Sequence, residues 1–234
     1  MNVADLKSAD DVKEFLENLL TEYQFGCYNE KNAEACHLLG DYKSEIEQKY
    51  QEAAEIYKKN CHEFNFARSC TKYGGYLSVG RAGKVDVPTG FQYMKKGCEL
   101  NDDSGCFQAG VVALSDRDNG VKDEAERVKE GVKFFEKCCY EFNNDRGCFQ
   151  LSEIYLHGVE PHIQATPEKA LKISENCCEL GNAYACRNLA VMYRDGYGVP
   201  TDKKMFKKYK ERAMDLVKQA QALRRETIFL QKKS

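Results

Sequence analysis

Residues 174–193 read "SENCCELGNAYACRNLAVMY". Cys177 and Cys178 stand side by side, and Cys186 follows eight positions after Cys178. Residues 136–155, "EKCCYEFNNDRGCFQLSEIY", repeat the layout with Cys138, Cys139 and Cys148. Working outward, the first cysteines of such pairs are Cys27, Cys61, Cys98, Cys139 and Cys178, at steps of 34, 37, 41 and 39 residues. Their partners Cys36, Cys70, Cys106, Cys148 and Cys186 advance by 34, 36, 42 and 38. Ten of the twelve cysteines therefore fall into five spaced pairs, and the chain reads as an array of repeats.

The flanks repeat as well. Before the first cysteine, apolar residues recur at three-four spacing: Ala54, Tyr57, Cys61, then Phe91, Met94, Cys98, then Val132, Phe135, Cys139. That is the buried stripe of an amphipathic helix. After the second cysteine come "HLLGDY", "TKYGGYL", "FQAGVVAL", "FQLSEIYL" and "RNLAVMY". Gly, Pro and Asp punctuate between them, as in "SVGRAGKVDVPTG", "LHGVEPHIQATP" and "RDGYGVPTD". Pro88, Pro167 and Pro200 fall at or just before helix starts, where proline is tolerated. Each unit is helix A, loop, helix B, short turn.

The expected fold is all-α, a right-handed α-solenoid of about five helix-turn-helix repeats. It is read as one domain over residues 1–234. An N-terminal helix covers 8–26, opened by a Ser8/Asp11 capping box and striped by Val12, Phe15, Leu16, Leu19, Leu20 and Tyr23. The repeats fill 27–200. A long basic helix covers 201–234, with Phe206, Tyr209, Ala213, Leu216, Ala220 and Leu223 at three-four spacing.

The net charge of −2 gives no reason to expect nucleic acid as partner. The charge is unevenly spread: residues 1–60 carry 13 acids against 7 bases, residues 201–234 carry 11 bases against 4 acids. No apolar run is long enough to span a membrane. The start, "MNVADLKSADDVKEFLENLL", lacks a basic n-region and an apolar core, so no cleaved signal is expected. Asn-x-Ser/Thr sites are absent. Cysteine content points to an oxidising compartment while the start points away from secretion.

Three chemistries compete for the cysteines. As staples, the two members of a pair flank a short turn between antiparallel helices, within the reach a disulfide needs. Ten cysteines alone leave the connectivity open. As metal ligands, they lack the Cys-x2-Cys halves of zinc frameworks. His37 and His62 each follow a cysteine and are the candidates for copper, zinc or haem, against ordinary surface histidines. As catalytic thiols, they lack the thioredoxin-like Cys-x-x-Cys. Cys138 and Cys177, left over from the pairs, are either buried small residues or exchangeable thiols beside a disulfide. Finally, "SCTK" at Ser69–Lys72 fits the Ser-x-x-Lys of penicillin-recognising enzymes, but its companion motifs are missing. If there is any activity, it is thiol–disulfide exchange rather than β-lactam hydrolysis.

"LAVMYRDGYGVPTDKKMFKKYKERA", residues 189–213, resembles the Sel1-like repeat, a tetratricopeptide relative. Together with "ENCCELGNAYACRNLAVMYRDGYGV" and five Cys pairs, it resembles the cysteine-rich Sel1-like proteins of the Hcp type. The start, "DVKEFLENLLTEYQFGCYNEKNAEACHLL", resembles the members of that family that serve cytochrome c oxidase assembly. The resemblance runs to about residue 220. It implies disulfides Cys27–Cys36, Cys61–Cys70, Cys98–Cys106, Cys139–Cys148 and Cys178–Cys186. It also implies a soluble, monomeric protein of the mitochondrial intermembrane space, entering without a presequence. The implied role is a scaffold or chaperone for complex IV assembly, with protein partners in the respiratory chain. Alternatives are a thiol–disulfide oxidoreductase acting on metallochaperone cysteines, or a haem-binding carrier. Cys138 and Cys177 depart from the family, which carries alanine there.

Overall fold

A computed structural model describes residues 8–231, with side chains through residue 225. The last three residues of the helix expected over 201–234 lie outside the described residues. The chain divides into two compact units, Met1–Gly120 and Val121–Ser234. The first holds α1 (Ala9–Tyr28), α2 (Ala33–Glu45), α3 (Tyr50–Phe64), α4 (Ala67–Val79), α5 (Val87–Glu99) and α6 (Asp103–Ala113). The second holds α7 (Glu124–Tyr140), α8 (Asp145–His157), α9 (Pro167–Glu179), α10 (Ala183–Asp195) and α11 (Lys203–Gln231). All eleven elements among the described residues are helices. Even-numbered ones are helix A of a repeat, and odd-numbered ones, α1 included, are of type B.

Several elements start at signals legible in the sequence, and α11 begins at Lys203, two residues past the expected 201. Ser8 and Asp11 form the reciprocal capping box of α1, satisfying two backbone N–H groups. Pro88 and Pro167 sit in the first turns of α5 and α9. The A helices share one entry turn. Asn32, Asp102, Asn144 and Asn182 cap α2, α6, α8 and α10 through their side chains. The residue before each A-helix cap has a positive φ: Lys31, Asn65, Asn101, Asn143 and Gly181. That left-handed step reverses the chain so that helix B and the next helix A run antiparallel. It is open to Gly and Asn at low cost and strained for Lys31.

Burial follows the predicted stripes. Tyr57, Phe91 and Phe135 are among the largest fully buried side chains. Each stabilises the fold by about 1.5–3 kcal/mol through apolar burial. In the first unit Ala53, Ala54, Tyr57, Tyr73, Tyr76 and Leu77 cluster. In the second, Leu156, Ala170 and Met192 cluster across α8, α9 and α10. Helix A of one repeat nests on both helices of the one before: α6 on α4 and α5, α10 on α8 and α9.

One stripe departs from expectation. Leu223 on α11 is 69% exposed, and Ala220 is exposed as well. α10 ends at Asp195, too short to cover the far half of the 29-residue α11. Periodicity marks an apolar face, and α11 carries that face past the extent of α10.

Candidate functional site

The site is best built from the joint between one helix A and the next. The first cysteine of each pair lies near the end of helix B, and the second is the fourth residue of helix A. The entry turn brings their Cα atoms to 4.5, 4.8, 4.4, 4.3 and 4.8 Å in Cys27–Cys36, Cys61–Cys70, Cys98–Cys106, Cys139–Cys148 and Cys178–Cys186. All five are disulfides. A bridge closing so short a loop removes about 2.5–3 kcal/mol of unfolded-chain entropy.

In α2, α4 and α8 two positions then face the next helix A of the same unit. One residue past the second cysteine stand His37, Thr71, Phe107, Phe149 and Arg187. Four residues further, on the same face, stand Asp41, Gly75, Val111, Glu153 and Val191. Between α2 and α4, His37 Nδ1 lies 2.9 Å from Ser69 Oγ, and Lys72 Nζ lies 3.3 Å from Asp41 Oδ1. Between α4 and α6, the Thr71 hydroxyl donates to Asp102. Between α8 and α10, the Phe149 and Tyr184 rings meet at 5.8 Å and the Asn188 amide donates to Glu153. The side chains change, but the register does not.

His37 overturns the reading of a surface histidine: it is 1% exposed. It follows the second cysteine of its pair, whereas His62 follows the first, so the two occupy different helices of the repeat. The tautomer protonated at Nε2 satisfies both of its ring nitrogens, donating toward Asp41 at 3.5 Å and accepting from Ser69. Asn60 donates to Ser69 Oγ at 2.8 Å, and Tyr57 donates to Asp41 at 2.6 Å. Burial lowers the imidazole to about 4, outweighing the raising pull of Asp41. Ser, His, Asp and the Lys72 of the Ser-x-x-Lys motif thus converge as in a serine hydrolase. Ser69, however, is 0% exposed, so a substrate carbonyl has no route to Oγ, and the constellation works as a polar core joint. Nδ1 of His37 is engaged by Ser69, and Nε2 points toward Asp41. His62 is exposed and stacks on Tyr93, with centroids 5.7 Å apart. Among the described residues no group of three His, Cys, Asp or Glu is placed to hold a metal.

Cys138 and Cys177 are thiols outside the bridges, and both are 0% exposed. Cys177 Sγ donates to the Asp145 carbonyl at 3.2 Å, and burial, then the nearby Asp145 charge, pushes its pKa up to about 12. A thiol exchanges as thiolate, which such a site withholds at neutral pH. Cys138 packs where α7 meets α8: a Cβ added at Gly147 would collide with the Cys138 Cβ. Glycine at 147 and a small side chain at 138 therefore form one close approach.

The α10–α11 pair presents the same face with a different fate. Arg187 and Val191 hold the two joint positions of α10, and both are exposed. Between α10 and α11 runs a groove of about 920 Å³. Ala190, Val191, Phe206, Ala213, Met214 and Val217 supply its apolar lining; Arg187, Arg194, Lys210, Lys218 and Arg224 supply its charge. Among the described residues no acid lines it. Sequence reading missed this groove because its apolar residues match those of a core stripe.

The Sel1 repeat family matches this chain at residues 33–59, 67–102, 145–182 and 183–205. A Drosophila melanogaster protein named cytochrome c oxidase assembly factor 7 homolog is 36% identical, with 91% of each chain covered. The Xenopus tropicalis and Homo sapiens proteins named cytochrome c oxidase assembly factor 7 are 34% and 30% identical. They cover 92% of both chains, and 94% of this chain and 95% of the human one, respectively. Among solved structures, a Sel1 repeat protein from Oxalobacter formigenes superposes with a TM-score of 0.73 at 16% identity, covering 88% of this chain and 83% of its own. The Escherichia coli protective antigen c5321 does so at 0.72 and 18%, covering 90% and 49%. At such identities these two show the fold alone.

Proposed function

Since the chain belongs to the Sel1 repeat family and, within it, to the cytochrome c oxidase assembly factor 7 proteins, we propose that it acts in complex IV assembly as a binding scaffold or chaperone. The observation that carries this is end-to-end identity of 30–36% with relatives so named. The site chemistry supports binding over catalysis. Ser69, His37, Cys138 and Cys177, which resemble reagents, are sealed into joints, whereas the α10–α11 groove is open. Five disulfides support residence in an oxidising compartment, here the mitochondrial intermembrane space. No described helix is long and apolar enough to cross a membrane.

The test is complementation. Cells lacking their own assembly factor 7 are given this chain, and assembled complex IV is read on native gels with oxidase activity. Recovery toward the parental level is expected. Unchanged complex IV, with the chain oxidised and present in mitochondria, would remove the proposed role. The compartment is tested separately: the chain should resist protease in intact mitochondria and be digested once the outer membrane is opened.

A further inference from the structure

We propose that the α10–α11 groove is a docking site for an acidic amphipathic helix of another protein, seated where the helix A of a following repeat would lie. The first argument is register. In the joints α2–α4, α4–α6 and α8–α10, the residues one and five positions past the second cysteine touch the next helix A. Arg187 and Val191 are those residues on α10, and they border the groove. A helix laid there has the lateral contacts that α10 itself has on α8 and α9.

The second argument is the missing staple. Lys49, Asp86 and Thr166 precede α3, α5 and α9 as their caps, and the stapling cysteines Cys61, Cys98 and Cys178 each follow twelve residues later; in the longer α7 the interval from Asp123 to Cys139 is sixteen, about one turn more. Asp202 caps the backbone at Lys204 and Met205, and twelve residues on stands Met214. Met214 lines the groove, 48% exposed. Past that point α3, α5 and α9 end within one turn, whereas α11 continues to Gln231. The repeat's short turn is thus absent here, and so is the cysteine that would tie a following helix A covalently. An exposed methionine in its place is the adaptable contact used at surfaces that accept non-covalent partners.

The third argument chooses the partner. Among the described residues, five basic side chains and no acid line the groove. Arg194 is held by Asp195, and Lys218 lies 3.9 Å from Asp215. Arg187, Lys210 and Arg224 face the groove without such a neighbour in its lining. A helix with an apolar stripe and glutamates on its flanks complements this; a basic helix is repelled. A second copy of this chain fits less well: its α1 carries Cys27, the first cysteine of a pair, and is a helix of type B. The inference does not depend on the complex IV reading, since it rests on register and charge.

The test borrows the repeat's own geometry. In all five A helices the cysteine is the fourth helical residue. The full chain carrying Met214→Cys is incubated, in a mixture of reduced and oxidised glutathione in which the oxidised form accepts the two electrons and leaves as two thiols, with a short designed helical peptide that has an alanine-leucine stripe and glutamate flanks. The peptide carries its single cysteine either at the fourth helical residue or one turn later. Mixed-disulfide formation should be at least ~tenfold favoured with the cysteine at the fourth residue, equivalent to about 1.4 kcal/mol of positional preference. The same peptide with lysine flanks should trap poorly, and raised salt should reduce trapping of the acidic one. Equal trapping at both positions, or equal trapping of acidic and basic peptides, would overturn the proposal. So would a disulfide-linked homodimer of the Met214→Cys chain outcompeting the peptide, which would assign the face to a second copy. Anisotropy of the cysteine-free peptide on the wild-type chain and on Met214→Glu gives a second reading that needs no bridge. Weaker binding to the variant is expected, and equal binding would overturn the site.

Discussion

His37 and Arg187 hold the same place in their repeats, one residue past the second cysteine of a pair, and they live under opposite conditions. His37 is 1% exposed, wedged between Asp41, Ser69 and the rings of Tyr57 and Phe66. Arg187 is exposed at the edge of a groove. The repeat fixes the direction in which the side chain points. Whether a following helix A lies there fixes what the side chain must satisfy. A buried position demands partners for every polar atom. An open one tolerates an unpaired guanidinium, which is then available to something else.

The largest expected effect tests whether closed joints depend on their staples. Replacing Cys61 and Cys70 together by alanine should lower unfolding free energy by about 3 kcal/mol, the chain-entropy value for a short loop plus lost packing. Urea denaturation measures it. A loss below about 1 kcal/mol would mean that the polar network of the α2–α4 joint holds the helices unaided, and the staple is redundant there.

Acid should act next, at His37 on the closed side of the comparison. His37 titrates at about 4 in the folded chain, against about 6.5 unfolded. Because the folded value is the lower one, the unfolded chain takes up the proton first. The contribution is therefore complete above about pH 6.5 and is lost as pH falls toward 4, reaching about 2–3 kcal/mol. His37→Gln should flatten that part of the stability profile. An unchanged slope between pH 6.5 and 4 would show that His37 is not the group responsible.

A smaller loss, about 1–2 kcal/mol, is expected for Ser69→Ala, which strips the His37 ring of its Nδ1 partner in a dry site. The pair of residues also shows what the sequence could reveal. Repeat period, helices and the α1 cap were legible because each leaves a local signature: cysteine spacing, three-four stripes, Ser8 three residues before Asp11; the pairing of the cysteines came from the family resemblance, since spacing alone left it open. The left-handed residues before each A-helix cap were half legible, since Asn65, Asn101, Asn143 and Gly181 are of the expected types and Lys31 is not. The His37–Ser69 contact was not legible. It joins residues 32 positions apart, and only their places beside Cys36 and Cys70 hint that they meet. The groove was hidden for the converse reason. Periodicity in Phe206–Leu223 announces an apolar face but says nothing of whether a neighbour covers it.

The smallest stability effect is expected at the open end, and it separates the two sides most directly. Arg187→Ala and Met214→Glu should each change unfolding free energy by no more than about 0.5 kcal/mol, as for surface sites with no partner to orphan. Phe149→Ala, at the same repeat position as Arg187 but packed on Tyr184, should cost about 1–2 kcal/mol through lost apolar contact. Matched denaturation midpoints for the three variants decide the matter. If Arg187→Ala or Met214→Glu proves as costly as Phe149→Ala, the groove residues are part of the fold's own support. The face would then be a finished terminus instead of a vacant joint. If they are neutral for stability while Met214→Glu weakens capture of an acidic helix, the last repeat uses for a partner the two positions that the earlier repeats use for themselves.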